Sequence, residues 1–345
     1  MKELNSIKIF LGVISLAIVV VILKELKTIF VPLTFAAFLS FLFQPLNRFL
    51  LNKKIPVGIT ILLMVIIILV SFTLMGTIVY TSISSFVTEF PKYEAQISEM
   101  FQELIVQLEI PVEKVMDYLK NKVNWLQLAD RFSLSKIISG TMGTFIDFLV
   151  KLLLTVAFMI FIVLERTKLI KRVERVLTID EAKHSTNVVL KIEQSVKTYI
   201  VNKTFISLIT GLISMFFIAV LGINFAVISG LLIFILNYIP NLGSIVASAF
   251  PMLICFIQFG ISWQLIAISI ALISTQMIMG NFVEPKMMGT GLKLSPLFVL
   301  IALIFWFWVW GPVGMILAVP ISSAMNLIIK EIPALKIVSA FISSE

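Results

Sequence analysis

Few residues in this chain could do chemistry, and those few sit among apolar neighbours. Asp147 and Lys151 stand four apart inside an apolar run. That spacing puts them on one helix face, where they can pair or serve proton or cation coupling; the plainer reading leaves both near an interface with Lys151 snorkelling. Glu284, followed by Pro285, closes another apolar run. Its carboxylate could meet a cation, or it is a loop acid paired with Lys286 or Lys293. Cys255 is the only cysteine and His184 the only histidine, so an intrachain disulfide, a thiolate cluster and a histidine-based metal centre are excluded. No HExxH, GxSxG or GxxxxGK[ST] occurs. Neither an enzyme nor a nucleotide-driven pump is expected, and no cofactor or metal.

Two breaks in apolar sequence carry more signal. Phe225–Phe259 is interrupted at Pro240-Asn-Leu-Gly243, flanked by Asn237 and Ser244, and Leu294–Ile329 is interrupted at Gly311-Pro312-Val-Gly314. Lipid cannot satisfy free backbone groups, so an interrupted helix in a membrane must face protein or a polar cavity. Paired interruptions are where transporters bind solutes. On spacing alone, Pro plus Gly equally describes a turn between two tilted helices, and small residues such as Gly243, Ser244, Ala247 and Ser248 let helices approach closely.

The elements that position these residues follow from composition. Of 345 residues, 59% are hydrophobic and 13% charged, against roughly 45–50% and about 25% in soluble domains. The apolar residues fall in runs long enough, at about 18 residues or more, to cross a bilayer as helices. The expected fold is all-α: a polytopic membrane helix bundle of about eight passes, with two Pro/Gly-broken hairpins and a small external helical insert. The net charge of +8 lies in short loops, the pattern of cytoplasmic loops beside anionic lipid, and without interleaved aromatics it does not describe a nucleic-acid surface.

Along the chain, 1–80 holds three spans. Arg48, Lys53 and Lys54, with no acid among them, place the second connection and the N-terminus inside. Residues 81–140 carry eight acids and six bases, and Phe86, Phe90, Tyr93, Ile97, Phe101, Leu104 and Leu108 recur at helical spacing. We read an external amphipathic subdomain of two or three helices, with Pro91 at a first turn or a kink. A fourth span covers 141–164. Residues 165–203, with nine bases and five acids, form a basic cytoplasmic loop. Thr178 to Glu181 has capping-box spacing, and Val188, Val189, Ile192, Val196, Tyr199 and Ile200 line one face of the helix behind it. Residues 204–330 form the membrane core and 331–345 a cytoplasmic tail.

Asn237-Tyr-Ile-Pro-Asn-Leu-Gly-Ser244 with Pro251, then Glu284-Pro285-Lys-Met-Met-Gly289, Leu292-Lys-Leu-Ser-Pro296 and Gly311-Pro-Val-Gly-Met315 to Ala318-Val-Pro320, resemble the signatures of the autoinducer-2 exporter (AI-2E) family of bacterial membrane transporters. Order and spacing agree over about 220–330, and the span layout agrees over nearly the whole chain. The aromatic run Phe305 to Trp310 is heavier than that pattern and marks a lipid interface or a narrowed pathway. The resemblance implies a secondary transporter or facilitator that moves a small hydrophilic solute out of the cell, in homo-oligomers, in the bacterial plasma membrane. Sodium or lithium/proton antiport is the alternative, because other members are of that kind. A membrane scaffold or envelope protein that moves nothing is the reading from a different class. The expected pathway residues are Asn237, Pro240, Gly243, Ser244, Glu284, Pro285, Gly289, Pro296, Gly311, Pro312 and Gly314, with Asp147 and Glu284 as candidates for ion coupling.

Overall fold

The computed structural model describes residues 2–107, 134–176, 179–240, 242–288, 294–331, 339, 342 and 343. The helices are α1 (Lys2–Glu25), α2 (Lys27–Leu42), α3 (Gln44–Asn52), α4 (Val57–Gln107), α5 (Leu134–Val176), α6 (Ile179–Val220), α7 (Ala226–Leu236), α8 (Leu242–Phe259), α9 (Trp263–Ile278), α10 (Glu284–Met288), α11 (Pro296–Trp310) and α12 (Pro312–Glu331). A π-helical segment, Met279–Val283, joins α9 to α10. Among the described residues there is no strand beyond a single antiparallel bridge between Leu294 and Ser343. The protein is an all-α bundle; among the described residues six helices are long and apolar enough to span a membrane, or up to seven if the bent pair α2 and α3 counts as one span. The apolar helices α7 and α11 are shorter.

Three helices run through positions expected as segment boundaries. Helix α4 is 51 residues long and runs unbroken through position 81 and through Pro91. At ~1.5 Å per residue that is ~76 Å, more than twice a hydrocarbon core of ~30 Å. Helices α5 and α6, of 43 and 42 residues, likewise continue past 141 and 203. The amphipathic segments on the described residues are therefore extensions of spans. No Gly or Pro pair stops them, and a lone Pro costs one backbone hydrogen bond that helix neighbours tolerate. Thr178 and 108–133 lie outside the described residues.

The chain forms two compact units. One comprises Met1–Ile66, Leu149–Thr204 and Glu284–Glu345; the other comprises Ile67–Phe148 and Phe205–Val283. In the first, Val196, Tyr199 and Ile200 of α6 and Val319 of α12 form a buried cluster against Phe38, Phe41 and Leu42 of α2. With Ile192 packed beside them, Val196, Tyr199 and Ile200 make four of the six residues that the spacing of α6 puts on one face; Val189 is exposed. In the second, Ile218, Ile233, Ala247, Ile254, Cys255, Ile268 and Leu272 interlock. Cys255 is fully buried there, a small hydrophobe as its setting suggests. Opposite faces, such as Leu212 and Phe216 on α6 and Ile270 on α9, are exposed and suit lipid tails.

Candidate functional site

Glu284 begins α10 directly after the π-helical segment. Its two carboxylate oxygens accept from the Lys203 ammonium of α6 at 2.7 and 2.8 Å. Lys203 is 2% exposed and Glu284 24%. The side chain of the preceding residue, Asn202, donates to the Met287 carbonyl at 2.7 Å, so two adjacent residues of α6 hold α10. The pair belongs to the first unit. It corrects the expected partners of Glu284. Lys286, two positions on, does not share its helix face, and Lys293 lies outside the described residues. Lys203, counted with the loop bases, is in fact interior to a helix. The signal for it was in the sequence. Val196 and Tyr199 lie on the buried face, and Lys203 continues that face at i+7 and i+4.

A buried pair of this kind offsets a large desolvation penalty, and removing one partner costs about 3–5 kcal/mol, at the lower end where one member is partly exposed. No Asp, Glu, Lys or Arg occurs between Lys203 and Glu284 in the sequence, so the bond closes a stretch of chain that is itself uncharged. π-helical turns recur at functional sites. Here the turn precedes the carboxylate directly. The carboxylate is the more accessible member of the pair.

The first break lies in the second unit. Helix α7 ends at Leu236, and α8 resumes at Leu242, Asn241 lying outside the described residues. A Cβ at Gly243 would fall 1.8 Å from the Leu236 carbonyl oxygen and 3.0 Å from Ile239 Cβ. The turn therefore requires glycine, because the start of α8 crosses the end of α7 backbone to backbone. Asn237 is buried and donates to Ser207 Oγ of α6 at 3.1 Å. Pro240 and Ser244 are half-buried at the same turn.

The other end of this hairpin is polar. Asn224 donates through Nδ2 to Glu89 Oε2 and to the Tyr93 hydroxyl, each at 2.8 Å. Its backbone N–H donates to Gln258 Oε1 at 3.0 Å, while Gln258 Nε2 donates to the Gly222 carbonyl at 3.0 Å. Burial pushes the Tyr93 hydroxyl above its ordinary value, the hydrogen bond from Asn224 opposes that, and Glu89 adds to the rise. Such a cluster belongs at a membrane surface. Helix α7 has 11 residues, or ~16 Å at ~1.5 Å per residue. The other arm, α8, has 18 residues, ~27 Å by the same rise, so the hairpin joins a short arm to a span-length one.

The second break lies in the first unit and is of another kind. Gly311 turns the chain at φ 69°, and Pro312 starts α12, where its missing N–H costs nothing. A Cβ at Gly314 would lie 2.0 Å from the Trp306 carbonyl oxygen. Trp310 Nε1 donates to the Leu23 carbonyl at 2.9 Å, and the Lys24 ammonium sits 4.0 Å over the Trp308 ring. The turn is thereby level with the charged Lys24–Lys27 connection, as aromatic and basic anchors at an interface are. Gly311, Pro312 and Gly314 form a tight turn between α11 and α12. Pro296 opens α11 behind the Ser295 cap, and Pro285 lies in the first turn of α10. Asp147 is exposed and Lys151 half-buried, one turn apart on α5. Gly289 lies outside the described residues. Among the described residues no cluster of three His, Cys, Asp or Glu side chains could hold a metal.

A family model described as AI-2E family transporter matches residues 10–334. The AI-2 transport protein TqsA of Escherichia coli is 28% identical over 333 residues, covering 95% of this chain and 93% of its own. YhhT of the same species is 26% identical, covering 94% and 90%, and YrrI of Bacillus subtilis is 25% identical, covering 88% and 86%.

Proposed function

Since this chain belongs to the AI-2E family of transporters, a multi-pass bacterial membrane protein family, we propose that it exports a small hydrophilic solute across the plasma membrane. The Lys203–Glu284 pair is the charged checkpoint of its pathway. The observation that carries this reading is the pair itself, an ammonium 2% exposed against a carboxylate within apolar helices. Ionisable residues at such positions are expensive and mark solute or ion routes. The tip Asn237, Pro240, Gly243 and Ser244 borders the pathway in the second unit. The basic connection at 165–203 supports a cytoplasmic N-terminus, and homo-oligomers follow from the family resemblance. Proteoliposomes loaded with candidate solutes test the reading. Lys203→Gln and Glu284→Gln should lose flux measured per mole of assembled protein, since each variant also loses stability; parent-level flux in both would overturn it.

A second reading, sodium or lithium/proton antiport, draws on the same pair, because Glu284 is a carboxylate that a sodium or lithium cation would occupy in place of the Lys203 ammonium. Everted vesicles carrying a pH-sensitive dye separate the two. Acidification or alkalinisation on adding sodium or lithium, lost in Glu284→Gln, selects antiport; silence of the dye beside measurable solute flux selects export alone.

A further inference from the structure

Within the second unit, α6 and α7 run antiparallel through the Gly222–Phe225 turn and meet closely at two glycines. A Cβ at Gly211 would lie 2.7 Å from the Gly230 carbonyl oxygen, and one at Gly230 would lie 2.7 Å from Met215 Cβ. Around that contact the seam is polar. Ser207 and Asn237 are hydrogen-bonded across it. Ser207, Thr210 and Ser214 of α6 and Ser229 of α7 are all 0% exposed. Ser214 flanks Met215 and Ser229 flanks Gly230, so the antiparallel register sets these two serines at the same height.

Thr210 returns its hydroxyl to the Ile206 carbonyl at 2.7 Å, the usual solution for a hydroxyl in a membrane helix. Ser214 Oγ and Ser229 Oγ do not; each is buried with no hydrogen-bond partner. Leaving a buried hydroxyl unsatisfied costs about 1–3 kcal/mol, and two such hydroxyls at one height of a single seam mark a place that a polar molecule would satisfy. No charged side chain lies anywhere from Thr204 to Val283. A bare ion in this seam would meet no compensating charge, whereas a molecule with its own hydroxyl or amide groups would satisfy serine and asparagine in both directions.

We propose that the α6–α7 seam is a closed, hydroxyl-lined section of the solute route. It opens when the α7–α8 hairpin withdraws from α6 at Gly211 and Gly230, and it accepts a neutral solute bearing hydroxyl or amide groups. The proposal rests on the export reading for its purpose but not for its wetness, and the test separates the two. In the full-length protein with Cys255→Ala, single cysteines are placed by Ser214→Cys, Ser229→Cys and, on the lipid face, Leu212→Cys. Proteoliposomes are treated with hydroxyethyl methanethiosulfonate, a small neutral reagent that attacks thiolates, which form only where water reaches. The expected result is modification at 214 and 229, none at 212, and loss of flux in the modified protein.

Unmodified cysteines at both 214 and 229 in assembled protein would overturn the proposal and make the seam dry packing. Modification without loss of flux would overturn the route. Absence of flux in the parent would sink the export reading and leave the wet seam standing. If either variant fails to assemble, radiolytic hydroxyl labelling of the parent decides the same question. Met215, beside the seam, should oxidise faster than the exposed, lipid-facing Met277; equal rates would count against a wet seam.

Discussion

A Cβ placed on Gly243 would lie 1.8 Å from the carbonyl oxygen of Leu236, seven positions back across the turn. The contact is with backbone, which cannot swing aside as a side-chain end can. Overpacking a core by a methyl group or more costs about 1–3 kcal/mol, and a backbone clash belongs at the top of that range. Gly243→Ala should therefore lower the thermal midpoint of assembled protein in detergent. Gly76→Ala, where nothing lies within 4 Å, should leave it unchanged. Equal midpoints for the two variants would mean that the turn is not held this tightly.

The Lys203–Glu284 bond should show itself in a double-mutant cycle. Lys203→Met leaves the Glu284 carboxylate without its ammonium, and Glu284→Gln leaves a buried ammonium without its carboxylate; each should cost about 3–5 kcal/mol at most. The double variant should recover part of that loss in stability while remaining inactive in flux. Additive losses would show that the two side chains do not interact.

The polar end of the α7–α8 hairpin makes stability depend on alkaline pH. The Tyr93 hydroxyl is raised from its ordinary 10.0, first by burial and then by Glu89. As pH rises past 10.0, the unfolded chain loses this proton before the folded one does. The stability contributed is complete below that pH and is lost as the pH climbs through the folded value. Thermal midpoints measured across this window should fall more steeply for the parent than for Tyr93→Phe. Parallel profiles would show that Tyr93 has no part in the alkaline loss.

The depth of the Gly311 turn can be read with lipid quenchers. Trp310 bonds to Leu23 and Lys24 covers Trp308, which puts Trp308 at an interface. A variant retaining Trp308 as its only tryptophan should be quenched more by a spin label near the headgroup than by one deep on the acyl chain. The reverse order would place the turn in mid-membrane and make it a pathway break after all.

Much of the bundle was legible in order of sequence. Apolar runs become spanning helices because lipid offers the backbone no partner other than itself, a rule that acts on each segment separately. Pro240 to Gly243 and Gly311 to Gly314 were legible as turns for the same local reason. The boundaries at 81, 141 and 203 were less so. Charge changes along α4, α5 and α6 mark where solvent begins, not where hydrogen bonding stops, and the helices run through them.

The apolar face of α6, the need for glycine at tight turns and the bilayer setting are written in the order of residues, because period and run length act over a few turns of helix. The partner of Glu284 is not. Lys203 lies 81 positions away, and only the packing of α10 against α6 selects it over the nearer Lys286. Tertiary structure likewise separates the two breaks that look alike in sequence. One tip packs against Ser207 of α6, and the far end of its hairpin is tied to Glu89 and Tyr93 through Asn224. The other is held level with Lys24 by Trp310. Depth in a membrane is set by what an element is anchored to, and anchors belong to other parts of the chain.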